Sequence, residues 1–235
     1  MAVEQMDEAI TTRMSVRAFT AQAVRADTLV DLLQAATAAC WPARIPPCRV
    51  HILQGHGRDD LVAKVCAAHD AVRAEPALHA RYREAYDYYP DKWVSPYLER
   101  RRENGWGLYG LLGIGRADKD KMHAQHQRNY RFFDAPVGLM FTLDRAVGGE
   151  ALLVCGMFLQ SIMLQARVRG LHTCPQAAWG GFASIVLPHI GAGASDVLVC
   201  GMSLGYADPH APVNGFHTPR LPVSEFSFWR DASPP

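Results

Sequence analysis

Two arginines that flank a serine near the start of the chain have the residue types of an anion-binding site. The stretch reads Arg13-Met14-Ser15-Val16-Arg17. A guanidinium group can bind phosphate oxygens through two parallel hydrogen bonds, and a serine hydroxyl can donate another. The trio is therefore a candidate phosphate site, although the same spacing is also common on solvated surfaces.

A second candidate is the turn that follows a long apolar segment. Apolar residues recur at steps of three and four through residues 151–166, which indicates a buried helix, and Gly170 suits its C-terminal end. The chain then runs extended into Cys174-Pro175, where proline excludes further helix. Such a turn can present backbone amides to a ligand. A core helix followed by an ordinary loop has the same pattern.

Aromatic residues and arginines are concentrated in residues 81–116. Eight tyrosines and tryptophans occur there, interrupted by three arginines at 100–102. Aromatic rings next to arginines can stack on single-stranded nucleic acid. The nearly neutral net charge instead favours a lid or a dimer contact, in which aromatic rings supply a wide contact area.

His123 and His126 lie three residues apart in a polar helix predicted over Asp118–Phe133, and Asp120 lies three residues before His123. Metal ligands can have this spacing. A helix this polar is more often a solvated face, so the pattern favours solvated histidines and no metal.

The overall composition is that of an ordinary globular protein. The 235 residues are 49% hydrophobic and 20% charged, with a formal net charge of +1. We therefore expect one domain, no nucleic-acid partner and no membrane. Residues 1–30 lack the apolar core of a secretory signal, and residues 151–166 are too short and polar to span a bilayer. Six scattered cysteines without a CxxC pair predict reduced thiols in the cytoplasm.

The elements that must position these residues are helices that alternate with a few strands. No dinucleotide-binding fingerprint and no P-loop occurs. The pattern favours an α+β sandwich with a small sheet flanked by helices. Asp59 or Asp60 is expected near the start of one helix, and Gly148-Gly149 is expected to form a turn. Further helices are predicted over Met6–Met14, Val24–Ala39, Asp59–Ala74 and Phe182–Ile190, and strands over Arg49–Gln54, Val137–Leu143 and Asp196–Tyr206.

Four segments together resemble the FMN-dependent nitroreductase family, in its nitroarene-reducing type. They follow one another in the family's order and cover nearly the whole chain. The segments are Arg13-Met14-Ser15-Val16-Arg17-Ala18-Phe19; Asp134-Ala135-Pro136-Val137-Gly138; Gly156-x-x-x-Gln160-Ser161 running on to Gly170-Leu171-His172-Thr173-Cys174-Pro175-Gln176; and Gly201–Pro209 with Asn214 and Arg220 downstream.

This resemblance implies a nitroreductase-like fold, with a small, mostly antiparallel sheet flanked by helices, in an intertwined homodimer. A lid would span residues 81–130, and a C-terminal arm, residues 208–235, would wrap on the partner. The family reduces nitroaromatic or related electrophiles by a ping-pong mechanism, in which NADH or NADPH first reduces FMN.

The resemblance also implies the positions of the cofactor-binding residues. Arg13, Ser15 and Arg220 would face the FMN phosphate, and Arg17 the ribityl chain or the pyrimidine edge. Backbone amides around Gln176–Ala178 would approach the flavin ring. The full set of implied FMN-binding residues is Arg13, Met14, Ser15, Arg17, Arg44, Gln160, Pro175, Gln176, Ala177, Ala178 and Arg220.

The loop at residues 40–48 departs from the family pattern. Arg44 stands where an asparagine normally touches flavin and substrate. The flavin performs the redox chemistry, so Arg44 is the one protein side chain considered for a catalytic role. It can stabilise anionic reduced flavin, block part of the pocket or recruit an acidic substrate. Two alternatives stay open: a flavin-binding protein with little turnover, used for storage or sensing, and a flavin-fragmenting enzyme.

Overall fold

A four-stranded antiparallel sheet forms the centre of the fold. The computed structural model describes residues 3–38, 48–82, 86 and 88–230. Within them the strands run in the order β1-β2-β4-β3. Phe141 of β2 pairs with Cys200 of β4, and Thr173 of β3 pairs with Leu204 of β4. The strands are β1 (Arg49–Leu53), β2 (Val137–Asp144), β3 (His172–Gln176) and β4 (Asp196–Gly205).

Helices cover both faces of this sheet, as the sequence predicts for an α+β sandwich. The described residues include α1 (Val3–Thr12), α2 (Ala26–Thr37), α3 (Gly55–Ala74), α4 (Tyr97–Leu111), α5 (Lys119–Gln127), α6 (Gly148–Val168) and α7 (Ala183–His189). Short 3-10 segments occur at Pro76–Arg81, Arg128–Asp134, Arg145–Val147, Ala177–Phe182, Pro212–Gly215 and Val223–Glu225.

The two faces of the sheet belong to two separate clusters of buried side chains. Leu139 and Phe141 of β2 pack in the cluster that includes residues of α2 and α6. Met140 packs in the other cluster, with residues of α3 and α7. Successive side chains of a strand point to opposite faces, and both faces are covered. Strand β2 is therefore apolar along nearly its whole length.

Helix α6 is the central helix that the apolar spacing predicts. Cys155, Phe158 and Ile162 are buried, and α6 packs against α2. Within the described part of the chain, Arg145–Val168 is the one stretch long and apolar enough to cross a membrane by those two criteria alone. It packs against α2 and buries six of its residues, so one side of it belongs to the core. The opposite side of α6 exposes Leu153 and Met157.

Several predicted boundaries are wrong. Helix α3 begins at Gly55, well before Asp59, and no side chain caps its N-terminus. Gly148-Gly149 forms the first turn of α6 instead of a separate turn. The helix predicted over Asp118–Phe133 ends at Gln127. The chain beyond it tightens into a 3-10 segment, and Phe132, Phe133 and Asp134 have φ values of 52°, 52° and 68°. A continuous α-helix cannot contain these left-handed residues.

Two glycines of the sheet allow aromatic rings to lie directly against the backbone. A Cβ at Gly138 would come within 2.4 Å of the Phe132 ring, and one at Gly201 within 2.4 Å of the Trp179 ring. The two rings also stack on each other with centroids 4.6 Å apart. These contacts hold the segment after α5 and the turn after β3 together on one face of the sheet.

Candidate functional site

The arginine-serine segment near the N-terminus lies along the end of strand β3. Ser15 forms a parallel bridge with Thr173, and the Val16 amide donates to the Thr173 carbonyl over 3.1 Å. Phe19 then bridges to Ala207, just beyond the end of β4. Residues 13–19 are therefore fixed by backbone hydrogen bonds.

Cationic side chains from both ends of the chain meet in one cavity of about 410 Å³. Burial lowers the pKa of Arg13, and the charge of Arg220 lowers it further. Within the described residues, no salt bridge joins Arg13, Arg17 or Arg220 to a carboxylate. The lining is Thr11, Thr12, Arg13, Met14, Ser15, Arg17, Phe216, His217, Thr218 and Arg220. Close guanidinium groups without acidic partners form a site that an anion would stabilise.

A second cavity, of about 430 Å³, shares Arg17 with the first. Its walls come from α4, from the end of α5 and from the turn after β3. The lining is Arg17, Tyr88, Tyr89, Arg101, Gly105, Leu108, Tyr109, Gln125, His126, Asn129, Phe133, Pro175, Gln176, Ala177 and Ala178. The two cavities together offer a cationic compartment next to an aromatic one, which matches a ligand with a phosphate at one end and a flat ring at the other.

One arginine of the aromatic cavity is held in position by ring contacts. The guanidinium carbon of Arg101 lies 5.1 Å from the Tyr89 centroid and 4.6 Å from the Trp93 centroid. Cation–π contacts of this kind orient a guanidinium without neutralising its charge. Arg101 therefore brings a positive charge to the wall of this cavity.

The end of β3 and the turn after it, residues 175–178, are anchored by the buried side chain of Gln176. Its amide nitrogen donates to the Asn129 carbonyl over 2.7 Å, and its amide oxygen accepts from the Ser203 hydroxyl over 2.9 Å. These bonds join β3 to β4 and to the segment after α5. The backbone at Pro175–Ala178 is consequently a rigid wall of the aromatic cavity.

The thiol of Cys174, next to this site in β3, is a poor nucleophile. Cys174 is buried in β3, and burial raises the pKa of its thiol to about 11, against the opposing influence of Arg17 and Ser15. Only a thiolate is a strong nucleophile. Cys174 therefore contributes packing and no nucleophile at neutral pH.

The structure brings nine of the implied FMN-binding residues to these two cavities. Arg13, Met14, Ser15, Arg17 and Arg220 line the cationic one; Arg17 recurs in the aromatic one with Pro175, Gln176, Ala177 and Ala178. Gln160 is exposed on α6 and lines neither cavity. Arg44 and most of the loop at 40–48 lie outside the described residues.

The implied lid, residues 81–130, contains α5, but sequence reasoning assigned no cavity-lining role to the side chains of α5 or of the segment after it. Gln125, His126, Asn129 and Phe133 line the aromatic cavity. Their spacing gave no sign of this role, because it depends on where the helix ends and how the chain then turns. The aromatic region 81–116 is predicted to be a lid or a dimer contact, and five of its side chains line the cavity: Tyr88, Tyr89, Arg101, Leu108 and Tyr109.

Comparisons with known proteins agree with this geometry. The sequence model of the Nitroreductase family matches residues 10–206. A 4-nitrobenzoate reductase of Nocardioides sp. is 37% identical over 225 residues, covering 94% of this chain and 88% of the relative. A 4-nitrobenzoate reductase of Pseudomonas putida is 34% identical, covering 97% of this chain and 96% of the relative.

Solved structures show the same similarity over the whole fold. The FMN and NADPH-dependent nitroreductase NfnB from sphigopyxis sp. strain HMH superposes with a TM-score of 0.85 at 34% identity, covering 97% of this chain and 99% of that one. NfnB from Mycobacterium smegmatis, solved in complex with NADPH, gives a TM-score of 0.86 at 28% identity, covering 98% and 100%. The chain belongs to the nitroreductase family, and the fold that its sequence predicts is confirmed.

Proposed function

We propose that this protein is an FMN-dependent oxidoreductase that uses NADH or NADPH to reduce nitroaromatic compounds. The observation that carries the proposal is the pair of cavities, one cationic and one aromatic, that share Arg17 in their linings. Bound FMN would accept a hydride from the nicotinamide and deliver two electrons to the nitro compound. The relatives that are named reductases favour this function over flavin storage and over flavin fragmentation.

The cationic cavity fits the phosphate end of FMN. Burial lowers the pKa of Arg13 and the charge of Arg220 lowers it further, so the two guanidinium groups are close enough to repel each other. A phosphate between them would remove this repulsion and accept several charge-assisted hydrogen bonds. Ser15 and the remaining Thr and His side chains of the lining offer further hydrogen bonds.

The aromatic cavity fits the flavin ring together with a substrate. The rigid turn at Pro175–Ala178 would support the ring, and Tyr88, Tyr89 and Tyr109 would cover the face on which reactants bind. Residues 81–130 would thus act as the lid. A single cavity of this size would hold the nicotinamide and the nitro compound in turn, which supports a ping-pong order.

A nitroarene with an acidic substituent is the substrate class that the charges favour. Arg101 brings a cation to the aromatic cavity, and no carboxylate lines that cavity within the described residues. Both relatives named above are 4-nitrobenzoate reductases. Arg101 would pair with the substrate carboxylate while the ring stacks among the tyrosines.

A homodimer would complete the assembly. Leu153 and Met157 on α6 are 70% and 49% exposed, and Phe226, Phe228 and Trp229 of the C-terminal arm are 60%, 80% and 54% exposed. Large apolar side chains clustered on a surface mark an association site. Gln160 continues the exposed stripe of Leu153 and Met157 at helical spacing, so a second chain on α6 would reach it.

A reducing compartment suits the cysteines. Cys66, Cys155, Cys174 and Cys200 are free thiols in the described part of the chain. This supports the cytoplasm as the site of action.

An anaerobic colour experiment tests the proposed function. The purified protein should be yellow, should bleach on addition of NADPH or NADH, and should regain its colour with one equivalent of 4-nitrobenzoate per two electrons. Yellow protein that neither nucleotide bleaches would support flavin storage instead. Protein that takes up no FMN would contradict both functions.

A further inference from the structure

Three side chains that line neither flavin cavity meet a fourth, His126, where α3 packs near α5. His69 and Asp70 belong to α3, and His123 and His126 belong to α5. The sequence pattern favours solvated histidines at positions 123 and 126; this expectation is wrong for His123, which is largely covered, whereas His126 is exposed. His123 and His126 turn towards α3, and the side chain of His123 is only 16% exposed. Asp120, the third residue of the suspected stripe, instead pairs with Arg73.

The cluster is compact. His123 Nε2 lies 2.7 Å from Asp70 Oδ1, and His126 Nδ1 lies 3.1 Å from His69 Nε2. The rings of His69 and His123 stack with centroids 4.2 Å apart and an interplanar angle of 9°. His69, Asp70 and His123 can each offer one ligand atom so that all three atoms lie within 4.8 Å of one another.

One nitrogen of the cluster is left without a partner. Nδ1 of His69 is buried and makes no hydrogen bond. A buried polar atom without a partner is costly and calls for an explanation, such as an ion.

We propose that His69, Asp70 and His123 form a binding site for a divalent first-row transition-metal ion such as Zn²⁺. Two imidazole nitrogens and one carboxylate oxygen are donors that suit zinc, cobalt or nickel, whereas calcium and magnesium favour oxygen ligands. Water would complete the coordination. Because the two rings lie nearly parallel, one of them turns about its side-chain torsions to direct its lone pair at the ion.

The surroundings of the three ligands suit such an ion. The Asp70 side chain is 61% exposed, so the ion has a path from solvent. Gln127 donates to Asp70 Oδ1 over 2.7 Å, which orients the carboxylate in the way that outer-shell groups orient metal ligands. The bound ion would fasten α5 to α3.

The site is separate from the flavin cavities and touches them through one residue. His126 bonds to His69 and also lines the aromatic cavity. The three ligands line neither flavin cavity. The ion would accordingly hold the wall of the cavity in position and take no part in electron transfer.

Calorimetric titration of the FMN-loaded protein with Zn²⁺, after chelator treatment and dialysis, tests the site. We expect one saturable ion per chain and a rise in the melting temperature on binding. Co²⁺ should compete for the same site and give visible d–d absorption to the red of the flavin band. His69→Ala and His123→Ala should lose the saturable binding and the zinc-dependent rise in melting temperature.

Matched variants keep the result interpretable. His79→Ala and His210→Ala remove exposed histidines elsewhere and should bind Zn²⁺ as the unaltered protein does. Asp70→Asn keeps an oxygen for His123 and Gln127 but loses the negative charge, so it should fold normally and bind Zn²⁺ more weakly. No saturable binding by the unaltered protein, or equal binding by His69→Ala, His123→Ala and Asp70→Asn, would overturn the proposal. Neither result bears on the flavin reaction, which the bleaching experiment tests separately.

Discussion

The side chain of Asn214 accepts a hydrogen bond from the backbone amide of Arg17 over 2.8 Å, across 197 positions of sequence. Its amide nitrogen donates to the carbonyls of Ala18 and Asp208, over 2.8 and 2.9 Å. One asparagine therefore fixes the loop that carries Arg13, Ser15 and Arg17 to the segment that leads to Arg220. This residue therefore fixes the relative position of the two segments that line the cationic cavity.

Replacing Asn214 should consequently weaken the attachment between the two segments that form the cationic cavity. Asn214→Ala removes three hydrogen bonds and leaves the Arg17 amide without its acceptor, which costs about 1–3 kcal/mol of folding free energy. We expect a lower free energy of unfolding in urea and weaker FMN binding, although Asn214 does not line either cavity. Asn214→Asp retains the oxygen that accepts from the Arg17 amide. It should therefore lose less stability and less FMN affinity than Asn214→Ala. Equal FMN affinity in all three proteins would contradict this positioning role.

Removing a guanidinium from the cationic cavity should weaken FMN directly. A charge-assisted hydrogen bond contributes about 1.5–3 kcal/mol, so Arg220→Ala and Arg13→Ala should each raise the FMN dissociation constant about ten- to a hundredfold. This dissociation constant is measured by the quenching of flavin fluorescence when apoprotein is titrated with FMN. The control is Arg25→Ala, which removes an exposed arginine paired with Asp27. Unchanged affinity in both cavity variants would exclude the two residues from the phosphate site.

Arg101 should make the enzyme prefer nitroarenes that carry a carboxylate over neutral nitroarenes. For Arg101→Gln we expect kcat/KM for 4-nitrobenzoate to fall about ten- to a hundredfold, because the substrate carboxylate loses a charge-assisted partner. The value for nitrobenzene should stay nearly constant. Arg102→Gln, one position further along α4 and outside the cavity lining, serves as the matched control. Parallel losses for both substrates would mean that Arg101 supports the lid and does not select the acid.

A charge on the exposed face of α6 should separate the subunits of the proposed homodimer. Burying one such apolar side chain contributes about 1.5–3 kcal/mol, and a carboxylate there would also have to be desolvated. We expect Met157→Glu and Leu153→Glu to sediment as monomers and to lose FMN. Val30→Glu alters an equally exposed apolar residue on α2 and should leave the dimer intact. Flavin-loaded dimers of Met157→Glu would rule out this face.

Acid should destabilise the protein partly through His172. Burial lowers the pKa of His172 below its usual value of 6.5, and the neighbouring Arg167 adds to this effect. The unfolded chain then binds the proton more readily than the folded one, so stability is present above about pH 6.5 and is lost as the pH falls below it. Urea unfolding at about pH 7.5 and pH 5 should show a smaller acid-induced loss in His172→Gln. If His172→Gln loses as much stability between the two pH values as the unaltered protein does, the acid sensitivity arises from other groups.

The elements that depend on local periodicity are the ones that the sequence predicts well. Helix α6 and strands β2 and β4 follow from their apolar spacing, and the resemblance of four segments predicts the fold and the family, both confirmed. Helix α3 was predicted to start too late because Gly55-His56-Gly57 is typical of a turn. The placement of Arg13, Ser15 and Arg220 around FMN stays a prediction that binding measurements test, as does the role of Arg44.

What the sequence could not predict depends on contacts between distant segments. Nothing local indicates that Asn214 would bond to Arg17, or that His69 would face His123 from another helix. Gly138 and Gly201 carry no turn signal, since their role is to admit the rings of Phe132 and Trp179. Such relationships are set by the packing of whole elements, which single-sequence periodicity does not encode.

Helix α4 lines the aromatic cavity through Gly105, Leu108 and Tyr109, yet it buries none of its own residues. Gly105, Leu108 and Tyr109 are half-buried, so substitutions there avoid the large losses of stability that core substitutions cause. The wall that meets the substrate can therefore vary while the sheet and α6 keep the fold intact. Because substrate contacts and folding depend on different elements, substitutions in α4 can change the choice of substrate while the protein still folds. A laboratory library confined to this helix should yield mostly folded proteins.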